Sequence, residues 1–289
     1  MVPDDERGQS IQIGAVLLFG ALVLALAGYQ AFVVPAQNER VEFSHSQTVQ
    51  GHMSELRNAI VSAPGGGGTQ SVSVQLGTEY PGRVLGLNPG RPTGQLRTAG
   101  TDDQSVEFSV RNAEATGETG DFWDGSGRSY RTGGLVYRPN YNVYSDAPTT
   151  AYENSVLSNE FGSDTVALSD QTLVDGSRIT LVALNGSYGA TQSGTVSPDV
   201  RPVSSSTRTV TVSDDGDPIE LTIPTKLDED TWEELLRRRL GVGHRHRRGV
   251  RNPQPRTRNR PAVHPPDGQS RRRHRRHRNR RSLPDGRLR

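Results

Sequence analysis

The sequence predicts an α+β protein that is mostly β. One N-terminal transmembrane helix and a helical stalk precede an antiparallel β-sandwich-like domain and a disordered C-terminal tail. Three observations support this prediction. A charge-free apolar run covers residues 13–34, short β-branched segments alternate with turn residues from residue 71 onward, and arginine dominates from residue 237. The 289-residue length allows one large domain or two small ones.

The apolar run of residues 13–34 comprises 22 residues, and Gln30 is its only strongly polar side chain. At about 1.5 Å of rise per residue, such a helix spans roughly 33 Å, which matches the hydrocarbon core of a bilayer. The run ends at Val33-Val34-Pro35 and lacks a small-residue cleavage site behind it. We therefore expect residues 9–35 to remain in the protein as a transmembrane helix.

Residues 36–63 are predicted to form a helical stalk. Four apolar residues recur there at spacings of four, three and four, which gives a narrow apolar seam: Val49, Met53, Leu56 and Ile60. A partner helix and the chain's own β-domain would fit this seam equally well. Pro64 and the four glycines behind it end the helical pattern and predict a linker over residues 64–70.

Residues 71–236 are predicted to form the β-rich domain. Turn residues separate seven short alternating or β-branched segments, which we expect to be strands: residues 71–76, 105–110, 135–137, 165–168, 178–184, 207–212 and 219–223. This spacing of short strands and turns is typical of an antiparallel sandwich, although it does not determine the strand order.

The net charge of +2 is the sum of an acidic segment and a basic segment. Residues 237–289 carry 20 Arg and 2 Asp, which leaves 14 basic and 30 acidic residues for residues 1–236, a net charge of −16. Lys226 is the only lysine among those 14 basic residues. An acidic surplus almost without lysine is typical of proteins that work in high salt, where screening reduces self-repulsion.

The arginine-rich tail of residues 237–289 has two interpretations. A disordered polycation would bind nucleic acid through phosphate neutralisation, but that interaction weakens steeply at the high salt that the acidic body indicates. Alternatively, residues after about Leu236 are an out-of-frame product, because an acidic, GC-rich coding region reads in another frame as arginine codons. We expect the second interpretation, and a nucleic acid partner is not expected at high salt.

The sequence predicts no catalytic site, cofactor or metal. The chain has no cysteine, and His45 and His52 are the only histidines before the tail. Both are expected to be solvated positions of the stalk, and no nucleophile, base and orienting group can be assembled from the visible pattern. Asn185 begins the one glycosylation sequon, Asn185-Gly186-Ser187, which marks either a loop that carries a glycan or a chance match.

An aromatic cluster holds seven of the sixteen aromatic residues within 31 positions: Phe122, Trp123, Tyr130, Tyr137, Tyr141, Tyr144 and Tyr152. Flat rings stack well on sugars and proteins, so the cluster could form a binding face. The preferred interpretation is that the rings supply the bulk of a small β-core otherwise made of Val and Leu.

The N-terminus carries a processing motif. Arg7-Gly8-Gln9-Ser10 follows three acidic residues and precedes the apolar run. This arrangement resembles the class III signal of archaeal type IV pilins, although the acidic leader departs from the usual basic one. The resemblance implies cleavage between Gly8 and Gln9, a leader of residues 1–8, a cytoplasmic N-terminus, an extracellular domain, and packing with other pilin-like subunits through the N-terminal helix and stalk.

Residues 7–230 also resemble a group of uncharacterised haloarchaeal membrane-anchored proteins. Shared features are the Arg-Gly-Gln-Ser start, Val-Pro-Ala-Gln after the helix, residues 56–66, and the segment Gly-Asp-Phe-Trp-Asp-Gly at 120–125. The resemblance implies no known activity. We expect a non-enzymatic membrane-anchored surface protein, pilin-like or an envelope or adhesion component. The alternative is a membrane-anchored module that binds carbohydrate or protein through residues 122–152.

Overall fold

One uninterrupted helix forms the N-terminal part of the protein. The computed structural model describes residues 6–66, 68–100, 106–117, 127–205, 209–214 and 216–240, with side chains at all of these except 6–11, 106 and 240. Helix α1 (Glu6–Gly28) continues through a π-helical segment (Tyr29–Val33) into helix α2 (Val34–Ser62), which ends in a 3₁₀ turn (Ala63–Gly65). By length and composition this helix can span a membrane.

The π-helical segment lies directly before Pro35. Proline has no backbone N–H, and its ring clashes with the carbonyl of the residue four positions earlier in a regular α-helix. A π turn changes the hydrogen-bond register by one residue, so the carbonyls before Pro35 do not need the regular α-helical donors. The chain therefore passes Pro35 without ending the helix, and the apolar run joins the stalk directly.

Seventeen short strands lie in the remaining described chain. In chain order they are β1 (Gln70–Ser71), β2 (Val74–Gln75), β3 (Thr93–Ala99), β4 (Val106–Arg111), β5 (Ala113–Ala115), β6 (Arg128–Thr132), β7 (Gly134–Asn140), β8 (Thr149–Glu153), β9 (Val156–Phe161), β10 (Asp164–Ala167), β11 (Val174–Asp175), β12 (Arg178–Ile179), β13 (Gly189–Gln192), β14 (Thr195–Val196), β15 (Asp199–Val200), β16 (Val212–Asp214) and β17 (Glu220–Thr222). Helix α3 (Glu229–Leu240) follows the last of them.

Antiparallel pairing organises these strands. The largest sheet has the order β10-β9-β8-β7-β3-β13, in which β7 to β10 form a meander of consecutive hairpins. A three-stranded sheet has the order β17-β4-β6, and four two-stranded pairs join β1 to β15, β2 to β14, β5 to β16 and β11 to β12. The predicted class, an apolar N-terminal helix followed by an antiparallel β-rich domain, is thus confirmed.

The main core lies between α2 and the large sheet. The seam residues of α2 pack against buried side chains from β2, β3, β7, β8 and β9 and the residue next to β2: Val74, Leu76, Leu96, Leu135, Tyr137, Tyr152 and Leu157. Of the two partners that the sequence allowed for the seam, the chain's own β-domain is therefore the one it contacts. Stalk and β-domain share one hydrophobic core.

A second core forms around α3. Trp232 and Leu235 of this helix pack with Phe108, Val156, Leu173, Val174, Ile223 and Leu227. Asp228 caps the helix by accepting the Thr231 N–H at 2.6 Å, and the Trp232 indole donates to the Thr225 hydroxyl at 2.8 Å. Helix α3 continues four residues beyond Leu236, and three arginines fill its last turn, where cations stabilise the helix dipole.

The predicted strands agree with the structure in part. Strands β4, β7, β10 and β17 lie at predicted positions, whereas residues 178–184 contain only the two-residue β12 and are otherwise irregular. Strands β3, β8 and β9 were not predicted, since their sequences are rich in polar residues and lack a clear alternation. The tail beyond Leu240 lies outside the described residues.

Candidate functional site

One face of α2 positions the candidate site, and this face has two chemically different halves. Its buried residues are Val34, Asn38, Glu42, His45, Ser46, Val49, Met53, Leu56, Ala59 and Ile60. The half from Val49 onward is apolar and packs on the sheet. The half before Val49, next to the apolar run, is mostly polar, and it holds two loops by hydrogen bonds.

Glu42 is the centre of the polar half and is fully buried. Its carboxylate accepts the backbone N–H groups of Asn142, Val143 and Tyr144 at 2.8, 2.9 and 2.6 Å. Tyr80 donates its hydroxyl to the same carboxylate. Burial raises the pKa of Tyr80, and the hydrogen bond to Glu42 adds to this, so the hydroxyl remains a donor. Four donors offset the cost of taking a carboxylate out of water.

His45 lies one turn further along α2, and the expectation that it is solvated was wrong. Its side chain is buried, and its Nδ1 lies 2.6 Å from the hydroxyl of Tyr141, with the two rings edge to face. Burial lowers the pKa of His45 and raises the pKa of Tyr141. His52 is half-buried and accepts the Gln75 N–H at 3.4 Å. Both histidines therefore help to fix the β-domain to the stalk.

The second element at the site is the 77–92 loop, which connects β2 to β3. Its tip, residues 83–87, contacts the π-helical segment. Gln30, the single strongly polar residue of the apolar run, donates to the Leu87 carbonyl at 2.8 Å and accepts the Leu87 N–H at 2.9 Å. Gly86 lies so close to Gln30 that an added Cβ would meet its Oε1 at 2.6 Å. These hydrogen bonds hold the tip of the loop against the end of the apolar run.

Arg83 fixes the same tip from the other side. Its guanidinium and Nε donate to four uncharged oxygens: Gln37 Oε1 at 2.6 Å, Asn88 Oδ1 at 2.7 Å, Asn38 Oδ1 at 2.9 Å and the Tyr29 hydroxyl at 3.1 Å. Three of these oxygens belong to the N-terminal helix and one to the loop itself. Arg83 therefore links the 77–92 loop to helix residues on both sides of Pro35, from Tyr29 to Asn38.

The predicted aromatic residues occupy different environments. Tyr137 is buried and donates to the Leu76 carbonyl at 2.9 Å, and burial raises its pKa to about 12. Tyr141 and Tyr144 stack at 6.1 Å beside α2, where Phe43 packs against Tyr144. Tyr130 is 44% exposed and packs on Phe108. Phe122 and Trp123 lie outside the described residues. Most of the described rings thus serve the packing between stalk and sheet.

The other predicted site residues lie far apart in the chain. Arg7, Gly8 and Gln9 belong to the first turn of α1, and no side chain is described there. Asn185 is exposed in the irregular segment between β12 and β13, where a glycan would have access. The structure brings neither group to the polar half of α2.

Two open grooves occur in the described part of the protein. One, of about 350 Å³, lies between the π-helical segment and the loops that α2 holds, with Gln30, Val34 and Leu87 in its lining. The other, of about 490 Å³, lies between β10 and α3. Its two carboxylates, Asp170 and Glu234, both pair with Arg238, at 3.4 and 2.5 Å. Among the described residues, no cluster of His, Asp and Glu could hold a metal ion.

The sequence reasoning missed Glu42, Tyr80 and Arg83. A signal for Glu42 was present, since it precedes Val49 by seven residues and so continues the four-and-three spacing of the seam toward the anchor. An acidic residue in line with an apolar seam indicates a buried charge that needs donors. No comparable signal marks Tyr80 or Arg83, because their partners on the helix lie 38 to 54 residues away in sequence.

The fold and site define a β-rich protein on one long N-terminal helix that can span a membrane. The chain is similar to an uncharacterized protein of Archaeoglobus fulgidus, at 26% identity over 247 residues. The match covers 83% of this chain, and it spans only 39% of the relative's length. No family model and no solved structure matches the chain.

Proposed function

We propose that the chain is a non-enzymatic, membrane-anchored surface protein, pilin-like or a structural or adhesive component of the cell envelope. The observation that carries the proposal is that two parts of one helix have different surroundings. The apolar window near the N-terminus has none of its surface buried, whereas α2 lies in the core of the β-domain. A helix of residues 6–65 is about 90 Å long, enough to cross a bilayer and extend well beyond it.

The attachment of the β-domain to the stalk supports a structural role. Contacts occur at three levels along the helix: the tip of the 77–92 loop at Gln30, the carboxylate of Glu42, and the apolar seam from Val49 to Ile60. A domain held at three levels transmits force and orientation to its anchor, as an assembly or adhesion component requires. A catalytic module on a flexible tether would not need these contacts.

The pilin-like variant of the proposal rests on the Arg7-Gly8-Gln9 motif and on the exposed surface of α1. Leucine, valine and phenylalanine side chains cover this helix on all sides, and they are exposed in the single chain. In the proposed assembly, other subunits or lipid cover them. Because the seam of α2 is occupied by the chain's own β-domain, subunit contacts would use α1 and the outward face of α2, where Phe43 is half exposed.

The first experiment is to express the full chain in an archaeal host that has a prepilin peptidase, and to determine its location, N-terminus and intact mass. We expect the protein in the carbonate-washed membrane fraction, with a start at Gln9 and a β-domain that protease removes from intact cells. Gly8→Val should block cleavage, whereas Gly14→Val, at a helix glycine with open space around it, should not.

Each outcome has a distinct meaning. A protein in the soluble fraction, or a β-domain protected in intact cells, would overturn the proposal of a surface protein. An anchored and protease-accessible protein that starts at Met1 would support the surface role and refute the pilin-like variant.

A further inference from the structure

The tip of the 77–92 loop exposes apolar side chains beside the anchor helix. Val84, Leu85 and Leu87 are 101%, 66% and 79% exposed. Elsewhere in the described β-domain, exposed large apolar side chains occur singly or at alternate strand positions. Three such residues within four positions form a contiguous apolar patch, which a surface loop in water rarely maintains.

The position of this patch along the helix is defined by hydrogen bonds. Leu87 is held on both its backbone groups by Gln30, and Gln30 lies four residues before the end of the apolar run at Val34. At about 1.5 Å per residue, the tip is therefore level with the last 6 Å or so of the membrane-spanning segment. At the same level of the helix Phe32 is also exposed, at 77%.

Two polar residues beside the tip, Tyr29 and Arg83, are of types that occur at the interface between a bilayer and water. Tyr29 lies at the end of the apolar run, where tyrosine is enriched at membrane interfaces. Arg83, on the other flank of the patch, donates only to uncharged oxygens, so its positive charge is not neutralised by these partners. An arginine at this level can place its charge among lipid phosphates while its stem stays in apolar surroundings.

We infer that the loop tip, residues 83–87, inserts Val84, Leu85 and Leu87 into the interfacial layer of the bilayer that the helix spans, with Arg83 at the level of the lipid phosphates. The protein then contacts one membrane at two adjacent points. This inference rests on the proposed membrane anchor and is independent of pilin-like assembly. A second contact fixes the rotation and tilt of the helix, because a loop on one side of the helix must face the lipid surface.

The absence of cysteine makes a direct test simple. The full chain with Leu85→Cys is labelled with an environment-sensitive fluorophore and reconstituted into vesicles of phosphatidylcholine and phosphatidylglycerol, some of which carry spin labels at shallow or deep acyl positions. Val203→Cys is the matched control, since Val203 is apolar and 84% exposed but follows β15, at the far end of the stalk. Leu24→Cys reports the anchor itself.

We expect a blue-shifted emission at position 85 and at least a twofold stronger quenching by shallow than by deep spin labels. Position 203 should show the emission of the protein in water and no quenching, and position 24 should be quenched by the deep labels. Adding Leu87→Asp to a Val84→Cys label should at least halve the shallow quenching, without changing the signal at position 24.

Three outcomes would overturn the inference or its basis. Quenching at position 24 with none at position 85 would refute loop insertion and leave the anchor intact. A lack of quenching at position 24 would refute the anchor and with it the proposed function. A blue shift at position 85 that is insensitive to spin-labelled lipid and disappears on dilution of the protein in the bilayer would assign the tip to a second copy of the chain.

Discussion

At the residue scale, Glu42 joins parts of the protein that are far apart in sequence. It connects α2 with Tyr80 in one loop and with the backbone of residues 142–144 in another, across separations of 38 to 102 residues. A buried carboxylate with four donors is costly to disturb, because each donor that loses its partner remains desolvated. Glu42 is therefore the single side chain whose loss should matter most for the attachment of the domain to its stalk.

We predict that Glu42→Ala lowers the free energy of unfolding by about 3 to 5 kcal/mol, since three backbone N–H groups and one hydroxyl lose their acceptor. Unfolding of the full chain in lipid nanodiscs, followed by tryptophan fluorescence, measures the change. Glu39→Ala is the matched control on the exposed side of the same helix and should change the stability by less than about 0.5 kcal/mol. Equal effects of the two substitutions would refute the role assigned to Glu42.

At the scale of elements, the contact between β3 and the stalk core depends on a glycine. The ring of Tyr137 on β7 lies across Gly94 of β3, and its hydroxyl reaches the Leu76 carbonyl beyond β2. A Cβ at position 94 would lie 2.2 Å from that carbonyl oxygen and 2.6 Å from the tyrosine ring. Neighbouring backbone atoms cannot move away as a flexible side chain can, so the close packing of β2, β3 and β7 requires glycine here.

We predict that Gly94→Ala destabilises the protein by about 3 kcal/mol, because the new methyl group must displace backbone from a well-packed core. Gly189→Ala is the matched control, since Gly189 lies on β13 in the same sheet and an added Cβ there meets nothing within 4 Å. Thermal unfolding of both variants measures the difference. A Gly94→Ala protein as stable as Gly189→Ala would show that the sheet adjusts at no cost.

At the scale of the whole molecule, charge separates the protein into two parts. Residues 1–236 carry a net charge of −16, whereas the described ion pairs are few and mostly exposed. Self-repulsion of this size opposes the compact state, and salt reduces it by shortening the screening length from about 10 Å at 0.1 M to about 3 Å at 1 M. The stability of the folded β-domain should therefore depend on salt.

We predict that the unfolding midpoint of a chain that ends at Leu240, and so lacks most of the arginine-rich tail, rises steadily in nanodiscs as potassium chloride increases from 0.1 to 2 M. A variant that combines Glu39→Gln, Glu114→Gln and Asp146→Asn, three exposed acids, should give a shallower rise because less repulsion remains to be screened. A midpoint independent of salt, or an equally steep rise in the variant, would refute the assignment of this effect to acidic self-repulsion.

Features that depend on local pattern could be predicted from the amino-acid sequence. A charge-free run of 22 residues predicts a helix that can cross a bilayer, the four-and-three spacing predicts the stalk helix and its seam, and β-branched segments between turn residues predict strands. The structure contains all three, because hydrophobic periodicity and turn chemistry act over a few residues. Strands with polar sequences, such as β8 and β9, were missed because their neighbours in the sheet, and not their own pattern, hold them in place.

The contacts between distant parts of the chain became visible only in the folded protein. The β-domain packs on the stalk seam, and Glu42 is buried among donors from two loops. His45 is an interior residue, and the apolar tip of the 77–92 loop lies beside the end of the apolar run. Each of these contacts joins residues that are tens of positions apart. Such pairings follow from the closure of the whole chain around its cores, so the local pattern could mark Glu42 and the seam as buried positions but could not identify their partners.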